Sequence, residues 1–385
     1  MKTRPKFIVV AGARPNFMKI APIMASFGKH NITSGKVSVK LVHTGQHYDR
    51  KMSDDFFTDL EIQAPDINLA IGSGTHAEQT ARVMMAFEQI CLQEKPDWVV
   101  VVGDVNSTLA CSVTARKLGV NVAHVEAGLR SRDMSMPEEI NRLCTDAVSN
   151  LLFTTDELAG NNLRNEGVSD DRIDFVGNTM IDTLLRNLNK ALSLPLPTGL
   201  REREYAVVTL HRPSNVDSAE TLRPLFHAIQ RVAKRIPVVF PAHPRTRSSL
   251  ERFGLLKPGM DIRLIEPVSY LPFISLISRP CFVLTDSGGI QEETTVLKIP
   301  CLTMRNNTER PITCSLGTNI LVGTDPDRIV QTAFDVLDHG IGDSSVPPKW
   351  DGAAGDRIVA TLLACVDLPA PRFDDAAQTD GAATS

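Results

Sequence analysis

The feature that most constrains the fold is a series of short apolar segments, rich in β-branched residues, that alternate with stretches long enough for helices. Strands that read as unbroken apolar runs are buried on both faces, which is typical of a parallel sheet covered by helices. Right-handed crossovers join such parallel neighbours. The series therefore predicts an α/β chain with doubly wound sheets. The segments are residues 7–11, 37–43, 98–102, 120–125, 205–210, 238–242, 282–285 and 302–304.

The series occurs twice, so the chain is predicted to form two Rossmann-like domains with a cleft between them. One set of segments runs to about residue 176 and the next begins at residue 205, with a stretch containing Pro and Gly at residues 192–201 between them. A chain of 385 residues is also long for one hydrophobic core. The predicted units are an N-terminal domain at residues 1–178, a C-terminal domain at residues 179–352, a C-terminal helix at residues 353–368 and a disordered tail at residues 369–385.

Composition limits the partners and the compartment. The net charge of −4 gives no indication of a nucleic-acid-binding surface. No apolar run approaches the length of a membrane span, and the apolar start is too short for a signal peptide before Arg14 ends it. The seven cysteines are widely spread without a Cys-x-x-Cys pair, which favours reduced thiols over disulfides or zinc. We therefore predict a cytoplasmic protein with no membrane partner, no nucleic-acid partner and no metal site.

The sequence GARPNFMK at residues 12–19 directly follows the first predicted strand. Its glycine permits a tight turn, and Pro15 suits the first turn of a helix, whose free N–H groups attract anions. Arg14 in the turn and Lys19 in the helix would then flank the same cleft. The same residues would also suit an ordinary strand–helix turn with two solvated cations.

A second segment of this kind, Ser287-Gly288-Gly289, lies between a predicted strand and a predicted helix. Two glycines there allow backbone N–H groups to approach a diphosphate, with the helix dipole behind them. Glu292 and Glu293 would either complement that dipole or hold ribose hydroxyls. The chain has no G-x-G-x-x-G fingerprint, so an NAD cofactor is not expected.

Acidic residues and a histidine follow several of the predicted strands. Asp104 and Glu126 come just after strand ends, and Glu138 lies a few residues further along. His211 ends a strand in the second half. The carboxyl ends of parallel strands share one edge of the sheet, so these side chains are expected to converge. Each alone would suit a helix cap or an ion pair, whereas together they are typical of acid–base chemistry.

Together these segments resemble the non-hydrolysing UDP-N-acetylglucosamine 2-epimerase family. The matching stretches occur in the expected order, and the ordered set is far more specific than any one of them. They are GARPNFMKIAP (residues 12–22), TGQH (44–47), GDVNST (103–108), HVEAGLR (124–130), PEEINR (137–142), GNT (177–179), HR (211–212), DSGGIQEE (286–293) and TERP (308–311).

The resemblance implies a glycosyltransferase-B-like fold whose C-terminal helix packs back on the first domain. It also implies a homodimer that acts on a UDP-sugar and needs no cofactor. We assign as catalytic residues Asp104, Glu126, Glu138 and His211. The positions that match the family's contacts to the UDP-sugar are Arg14, Lys19, Phe273, Ser287, Gly288, Gly289, Glu293 and Arg310, and His211 also matches a contact to the UDP.

The chain departs from the family pattern at two places. Val268 stands where many members have a glutamine that bonds the uracil, and residues 131–136 form a shorter segment than in the best-known bacterial members. In those relatives this segment and the loop that holds Gln46 help to form a second, activating UDP-sugar site. Gln46 and His47 are therefore candidate second-site or loop residues, and activation by substrate is left open.

The chemistry that the resemblance implies is elimination of UDP to a glycal, followed by re-addition, which inverts C2 without a hydride carrier. The expected reaction converts UDP-N-acetylglucosamine to UDP-N-acetylmannosamine for a polysaccharide or cell-envelope pathway. The sequence leaves four alternatives open. They are a 2-epimerase of UDP-diacetamido-glucuronic acid or UDP-glucose, a glycosyltransferase of the same fold, a nucleotide-sugar sensor without catalysis, and an enzyme that releases UDP and free sugar.

Overall fold

The computed structural model describes residues 4–35, 37–45, 60 and 62–366. Its first sheet contains the strands β1 (Lys6–Ala11), β2 (Ser38–His43), β3 (Ile67–Asn68), β4 (Trp98–Val102), β5 (Asn121–Ala127), β6 (Leu151–Thr154) and β7 (Ile173–Phe175). Its second sheet contains β8 (Ala206–Thr209), β9 (Val238–Pro241), β10 (Ile262–Ile265), β11 (Phe282–Thr285), β12 (Cys301–Thr303) and β13 (Asn319–Leu321).

Helices connect these strands. They are α1 (Arg14–Ser34), α2 (His76–Glu94), α3 (Asn106–Lys117), α4 (Pro137–Val148), α5 (Glu157–Asn165), α6 (Thr179–Ser193), α7 (Pro213–Val216), α8 (Ala219–Ala233), α9 (Pro244–Arg252), α10 (Tyr270–Ile277), α11 (Gly288–Leu297), α12 (Ile312–Ser315), α13 (Pro326–His339) and α14 (Ala354–Ala364). Among the described residues, no helix has both the length and the apolar character needed to cross a bilayer.

Both sheets are parallel and doubly wound. The first has the order β3-β2-β1-β4-β5-β6-β7 and the second has the order β10-β9-β8-β11-β12-β13. In each sheet the strand order reverses beside the first strand, between β1 and β4 or between β8 and β11. In open α/β sheets a ligand binds at this reversal, outside the carboxyl ends of the strands. The predicted α/β fold class is confirmed, and each sheet offers one such place.

The strands are buried because their sequences are almost wholly apolar. Trp98–Val102 is buried along its full length, and so are Asn121–Ala127 and Phe282–Thr285. Several helices that start at the carboxyl edges carry a proline in their first turn, where the missing N–H costs nothing. The apolar strands and the prolines in the first turns of helices therefore explain why the sheets are covered by helices.

The two sheets share part of their hydrophobic core. One cluster of buried side chains includes Phe7 and Val100 from the first sheet and Val207 and Val283 from the second. Helix α6 packs against α1 on one side and against α10 and α11 on the other. The C-terminal helix α14 lies against α1, and its Gly355 N–H donates to the Asp182 carboxylate at 2.8 Å. The predicted domain boundaries stay a prediction, and the predicted tail at residues 369–385 lies outside the described residues.

Candidate active site

The carboxyl edges of the two sheets meet at a buried ion pair. Glu126 lies in β5, and Arg310 follows β12 in the second half. The Arg310 Nη2 atom donates to Glu126 Oε1 at 3.0 Å, and both side chains are almost wholly buried. The pair joins the two predicted domains at the carboxyl edges of both sheets.

Glu126 is held in an unusual backbone conformation. Its φ of +73° lies in the left-handed region, and the pairing of β5 with β6 shifts register between Val125 and Ala127. A residue other than glycine in that region costs about 1–3 kcal/mol and persists where its surroundings fix it. Bulges of this kind re-aim a side chain. Here the irregularity presents the Glu126 carboxylate to cations from both halves.

The second oxygen of Glu126 contacts Lys19. The Lys19 Nζ atom forms an ion pair with Glu126 Oε2 and is itself nearly buried in α1. A Cβ placed on Gly103 would lie 2.9 Å from that Nζ, and Gly103 has a φ of +69°. A side chain at position 103 would therefore displace the Lys19 ammonium as well as strain the backbone.

Arg310 contacts three carboxylates at once. Its Nε lies 2.8 Å from Glu292 Oε1 and its Nη1 lies 2.6 Å from Glu309 Oε1, in addition to the contact with Glu126. Burial alone would lower the pKa of Arg310, but Glu292 and Glu309 outweigh it and raise that pKa further. The guanidinium therefore remains charged. Its planar fork is suited to exchanging carboxylates for phosphate oxygens.

Two consecutive glutamates of α11 have carboxyl groups with raised pKa values. Burial raises the pKa of Glu292 to about 7, even though Arg310 opposes that shift. Burial also raises the pKa of Glu293 to about 8, with a further contribution from Glu292. Asn178 donates to Glu292 Oε1 at 2.9 Å across the junction of the halves. Protonated carboxyls can donate hydrogen bonds beside an anion that carboxylates would repel.

The predicted phosphate segment starts α11, with Ser287 at its N-cap. A Cβ on Gly288 would lie 2.6 Å from Arg310 Nη1 and 2.6 Å from Glu309 Oε1. A Cβ on Gly289 would meet only the end of Met180, at 3.4 Å. Gly288 is thus required by the packing of Arg310. Both glycines leave backbone N–H groups open at a helix N-terminus.

Asp104 and Glu138 lie on separate segments of the first half. Asp104 follows β4 and accepts a hydrogen bond from Arg142 Nη1 at 2.5 Å, with 26% of its side chain exposed. Glu138 is exposed in the first turn of α4. Its neighbour Glu139 is buried instead and binds Arg142 Nη2 at 2.6 Å. Arg142 and Glu139 are site residues that the sequence analysis missed, although both lie in the PEEINR stretch.

His211 follows β8 and is half-exposed. Its Nδ1 lies 3.0 Å from Asp286 Oδ1, and its backbone N–H donates to the same carboxylate. Burial would raise the pKa of Asp286, but the His211 contacts and the Arg212 backbone N–H bring it below its usual value. Asp286 thereby fixes the imidazole at the edge of the second sheet, with the second ring nitrogen available to a ligand.

The other predicted residues are less closely tied to this junction. Phe273 lies in α10, partly buried against the shared core. Arg14 begins α1. Gln46 and His47 lie outside the described residues. Within the described part of the chain, no group of three or more His, Cys, Asp or Glu side chains could hold a metal ion.

Comparison with known proteins shows which family has this architecture. The family model described as UDP-N-acetylglucosamine 2-epimerase matches residues 30–363. The UDP-N-acetylglucosamine 2-epimerase of Methanocaldococcus jannaschii is 42% identical over 367 residues, which covers 93% of this chain and 98% of that protein. The chain belongs to the UDP-N-acetylglucosamine 2-epimerase family.

A second relative of this epimerase family carries a different sugar in its name. The UDP-2,3-diacetamido-2,3-dideoxy-D-glucuronate 2-epimerase of Pseudomonas aeruginosa is 43% identical over 363 residues, covering 93% of this chain and 99% of that protein. The two sequence identities differ by one percentage point, so sequence identity alone does not indicate which of the two sugars this chain uses.

Solved structures of epimerases in the family have the same fold. The Methanocaldococcus jannaschii enzyme in complex with UDP-GlcNAc and UDP superposes with a TM-score of 0.85 at 41% identity, covering 93% of this chain and 99% of that one. The Neisseria meningitidis enzyme bound to UDP-GlcNAc superposes with a TM-score of 0.86 at 32% identity, covering 93% of this chain and 100% of that one. The glycosyltransferase-B-like arrangement and the family resemblance are both confirmed.

Proposed function

We propose that this protein inverts C2 of a UDP-sugar and that UDP-N-acetylglucosamine is its substrate. The observation that carries the proposal is Glu126, whose two carboxylate oxygens contact Lys19 of the first half and Arg310 of the second. A carboxylate between two cations, beside a glycine-led helix N-terminus, combines an acid–base group with a place for a diphosphate. Membership of the epimerase family supports the same activity.

The reaction starts with loss of the C2 proton to a base. The electron pair of the C2–H bond forms the C1–C2 double bond of a glycal, and the pair of the C1–O bond leaves with UDP. A proton then adds to C2 from the opposite face, and a UDP oxygen attacks C1 to restore the bond. Inversion requires proton donors and acceptors on both faces of the sugar. Asp104, Glu126 and Glu138 come from three segments, which suits that requirement.

The cations and α11 would stabilise the departing diphosphate. Lys19 contacts Glu126, and Arg310 contacts Glu126, Glu292 and Glu309, so a diphosphate bound there would give these two cations further anionic partners. The N–H groups of Gly288 and Gly289 and the side chain of Ser287 would bind phosphate oxygens. His211 would reach the same group from β8. Fixed donors aimed at developing charge are the usual source of such stabilisation.

Other groups would hold the nucleoside. Protonated Glu293 would bind ribose hydroxyls, and Phe273 would contact the uracil. Because Val268 cannot form the side-chain hydrogen bond to the uracil, backbone groups would form it. Arg14, at the start of α1, would complete the phosphate contacts.

We also propose that the protein acts in the cytoplasm as a homodimer and that no cofactor takes part. Residues 1–178 and 179–352 would move relative to each other during turnover. Analytical ultracentrifugation of the full chain tests the dimer.

The deciding experiment is proton NMR of UDP-N-acetylglucosamine with the protein in D₂O. We expect deuterium at C2 together with UDP-N-acetylmannosamine. Parallel incubations with UDP-diacetamido-glucuronic acid and UDP-glucose identify the preferred sugar by the ratio of kcat/KM values. Free UDP and free sugar would indicate hydrolysis, and transfer to an added acceptor without C2 exchange would indicate a glycosyltransferase. Absence of C2 exchange with all three sugars would refute the proposal.

A further inference from the structure

A chain of four ionic side chains lies behind the carboxyl edge of the first sheet; three of them are buried and the fourth, Glu166, is exposed. Glu166 accepts two hydrogen bonds from Arg130, at 2.6 and 2.9 Å. Arg130 Nη1 also pairs with Asp146 Oδ2 at 2.7 Å, and Asp146 Oδ1 lies 2.6 Å from Nδ1 of His124. The imidazole of His124 is fully buried within β5. None of these four residues has been assigned a role in the preceding mechanism.

Both ring nitrogens of His124 face groups that can only accept a hydrogen bond. Nδ1 faces the Asp146 carboxylate at 2.6 Å, and Nε2 faces the backbone carbonyl of Gly103 at 2.8 Å. A neutral imidazole has one donor nitrogen and one acceptor nitrogen, so it can satisfy only one of these partners. An imidazolium donates to both. The two distances therefore match a doubly protonated ring.

The same ionic chain holds the two segments that carry the proposed acid–base residues. Gly103, whose carbonyl binds His124, directly precedes Asp104. Gly128, two residues after Glu126, donates its backbone N–H to Asp146 Oδ2 at 3.0 Å. Gly103 and Gly128 both have positive φ values, and Gly103 also donates its N–H to the carbonyl of Val125. The ends of β4 and β5 are thus tied to one pair of charged side chains.

We propose that His124, as an imidazolium held by Asp146, is a positioning residue that sets the relative placement of Asp104 and Glu126. The inference rests on the proposed function, because its kinetic consequence appears only in C2 epimerisation. His124 does not itself contact the reacting atoms. It orients the Gly103 carbonyl, and through it the peptide that leads into Asp104. Misplacing catalytic groups by about 1 Å can cost about 100-fold in rate.

The surrounding charges support an ionic form of this arrangement. Burial would raise the pKa of Asp146, but His124 and Arg130 together bring that pKa below its usual value. Burial would lower the pKa of Arg130, yet Glu166 and Asp146 raise it. With Glu166 and Asp146 negative and Arg130 and His124 positive, the four charges cancel. A neutral His124 would leave the network with a net negative charge and the Gly103 carbonyl without this donor.

The protonation state can be read directly by NMR. In the full-length, ¹⁵N-labelled protein we expect two ring N–H resonances for His124, both protected from exchange with water. His124→Gln should remove both signals, which assigns them. His227 is exposed, so His227→Gln is the matched control and should leave these signals and the activity unchanged. A single His124 N–H, or a ring nitrogen with the shift of an unprotonated imidazole, would overturn the imidazolium.

A pair of amide variants tests the positioning role. The amide of His124→Gln lies near the place of Nε2 and can still donate to Gly103, whereas that of His124→Asn lies near Nδ1 and can reach only Asp146. Both are neutral and similar in size. We expect kcat to fall about 100-fold in the Asn variant. In the Gln variant the loss should be at least ten times smaller, that is, about tenfold or less, and KM should be nearly unchanged in both variants. Equal loss in the two variants, or loss that follows thermal stability, would overturn the proposal.

The two hypotheses fail in different ways. If the wild-type protein produces no C2 exchange with any UDP-sugar, the proposed function fails, while the two ring signals still decide the state of His124. If the wild-type protein epimerises but both variants keep wild-type kcat, the positioning role fails and the proposed function stands. Circular dichroism of each variant confirms that it is folded before the rates are compared.

Discussion

Buried glutamates at the two strand edges that form the cleft differ in their ionisation: Glu139 lies at the first edge, and Glu292 and Glu293 lie at the second. At the first edge Glu139 is paired with Arg142, and although burial opposes its ionisation, backbone N–H groups and that guanidinium lower its pKa. At the second edge burial raises the pKa of Glu292 to about 7 and that of Glu293 to about 8. The partners of Glu139 therefore favour its ionised form, whereas burial favours the protonated forms of Glu292 and Glu293 close to neutral pH. Burial would also raise the pKa values of Asp286 and Glu309 at the second edge, but the cations and N–H groups that contact them bring those values below the usual range.

This difference matches the chemistry proposed for each edge. A base that removes a proton from carbon must be ionised and firmly placed, which buried cations achieve. A pocket for a diphosphate must avoid negative charge, which protonation achieves. Within one cleft, the same residue type is thus adapted to two tasks by its partners and its burial. Four predictions test the two edges, in order of decreasing expected effect.

The largest effect is expected for Glu126→Gln. The amide keeps the shape of the side chain but cannot accept the C2 proton, so turnover should fall about 10²–10⁴-fold. UDP affinity should be kept or improved, because Lys19 and Arg310 lose a competing anion. Steady-state kinetics and calorimetric titration of UDP measure the two quantities. Glu157→Gln, at an exposed position on α5, is the control. A parallel collapse of UDP affinity would mean that Glu126 is structural.

The next largest effect concerns stability at the first edge. Arg142→Met leaves Asp104 and Glu139 without their buried cation, and removing one member of a buried ion pair costs about 3–5 kcal/mol. Arg164→Met removes an exposed pair with Asp170 and should cost less than about 1 kcal/mol. Urea unfolding of both variants measures the difference. Similar losses in the two would contradict the assigned anchoring role.

At the second edge, stability should depend on pH through Glu293. Its folded-state pKa of about 8 exceeds the usual 4.5, so the folded state binds the proton more tightly than the unfolded state. This contribution is fully present below pH 4.5 and is lost as the pH rises through 8, at up to about 1.4 kcal/mol per pH unit. Glu293→Gln should flatten the decline of the unfolding free energy over that window. An unchanged slope would show that Glu293 ionises normally.

The smallest effects separate the two glycines of α11. Gly288→Ala places a Cβ against Arg310 and Glu309 and should cost about 1–3 kcal/mol of stability. Gly289→Ala meets only the flexible end of Met180, so gain in helix propensity should keep the change within about 1 kcal/mol. Thermal unfolding without ligand measures both. Equal costs would place the close contact elsewhere.

Much of this arrangement could be predicted from the sequence, because apolar strands and strand-end motifs follow from local composition. The positions of Asp104 and Glu126 at the edge of the first sheet, and of Ser287 at the edge of the second, follow from the strand positions alone. Strands such as β6 and β13 are short and lack a long β-branched run, so pattern alone did not single them out.

Other features depend on tertiary contacts. Spacing does not tell which of Glu138 and Glu139 points inward, because the helical phase of α4 is fixed by its packing. Arg142 reads as an ordinary helix cation until its burial is known. The contact between Glu126 and Arg310 joins residues that are 184 positions apart, so only the folded chain reveals it.

The core shared by the two sheets has a consequence for how the protein comes apart. Val100 and Val207 belong to one buried cluster, and α6 supplies apolar contacts to helices of both halves. Unfolding either sheet would expose to water the apolar side chains of the other sheet that are buried in this shared cluster. Heat or denaturant should therefore unfold the molecule in one cooperative transition, although it contains two separate sheets. Local fluctuation at the cleft can then occur on a scaffold that loses its structure only as a whole.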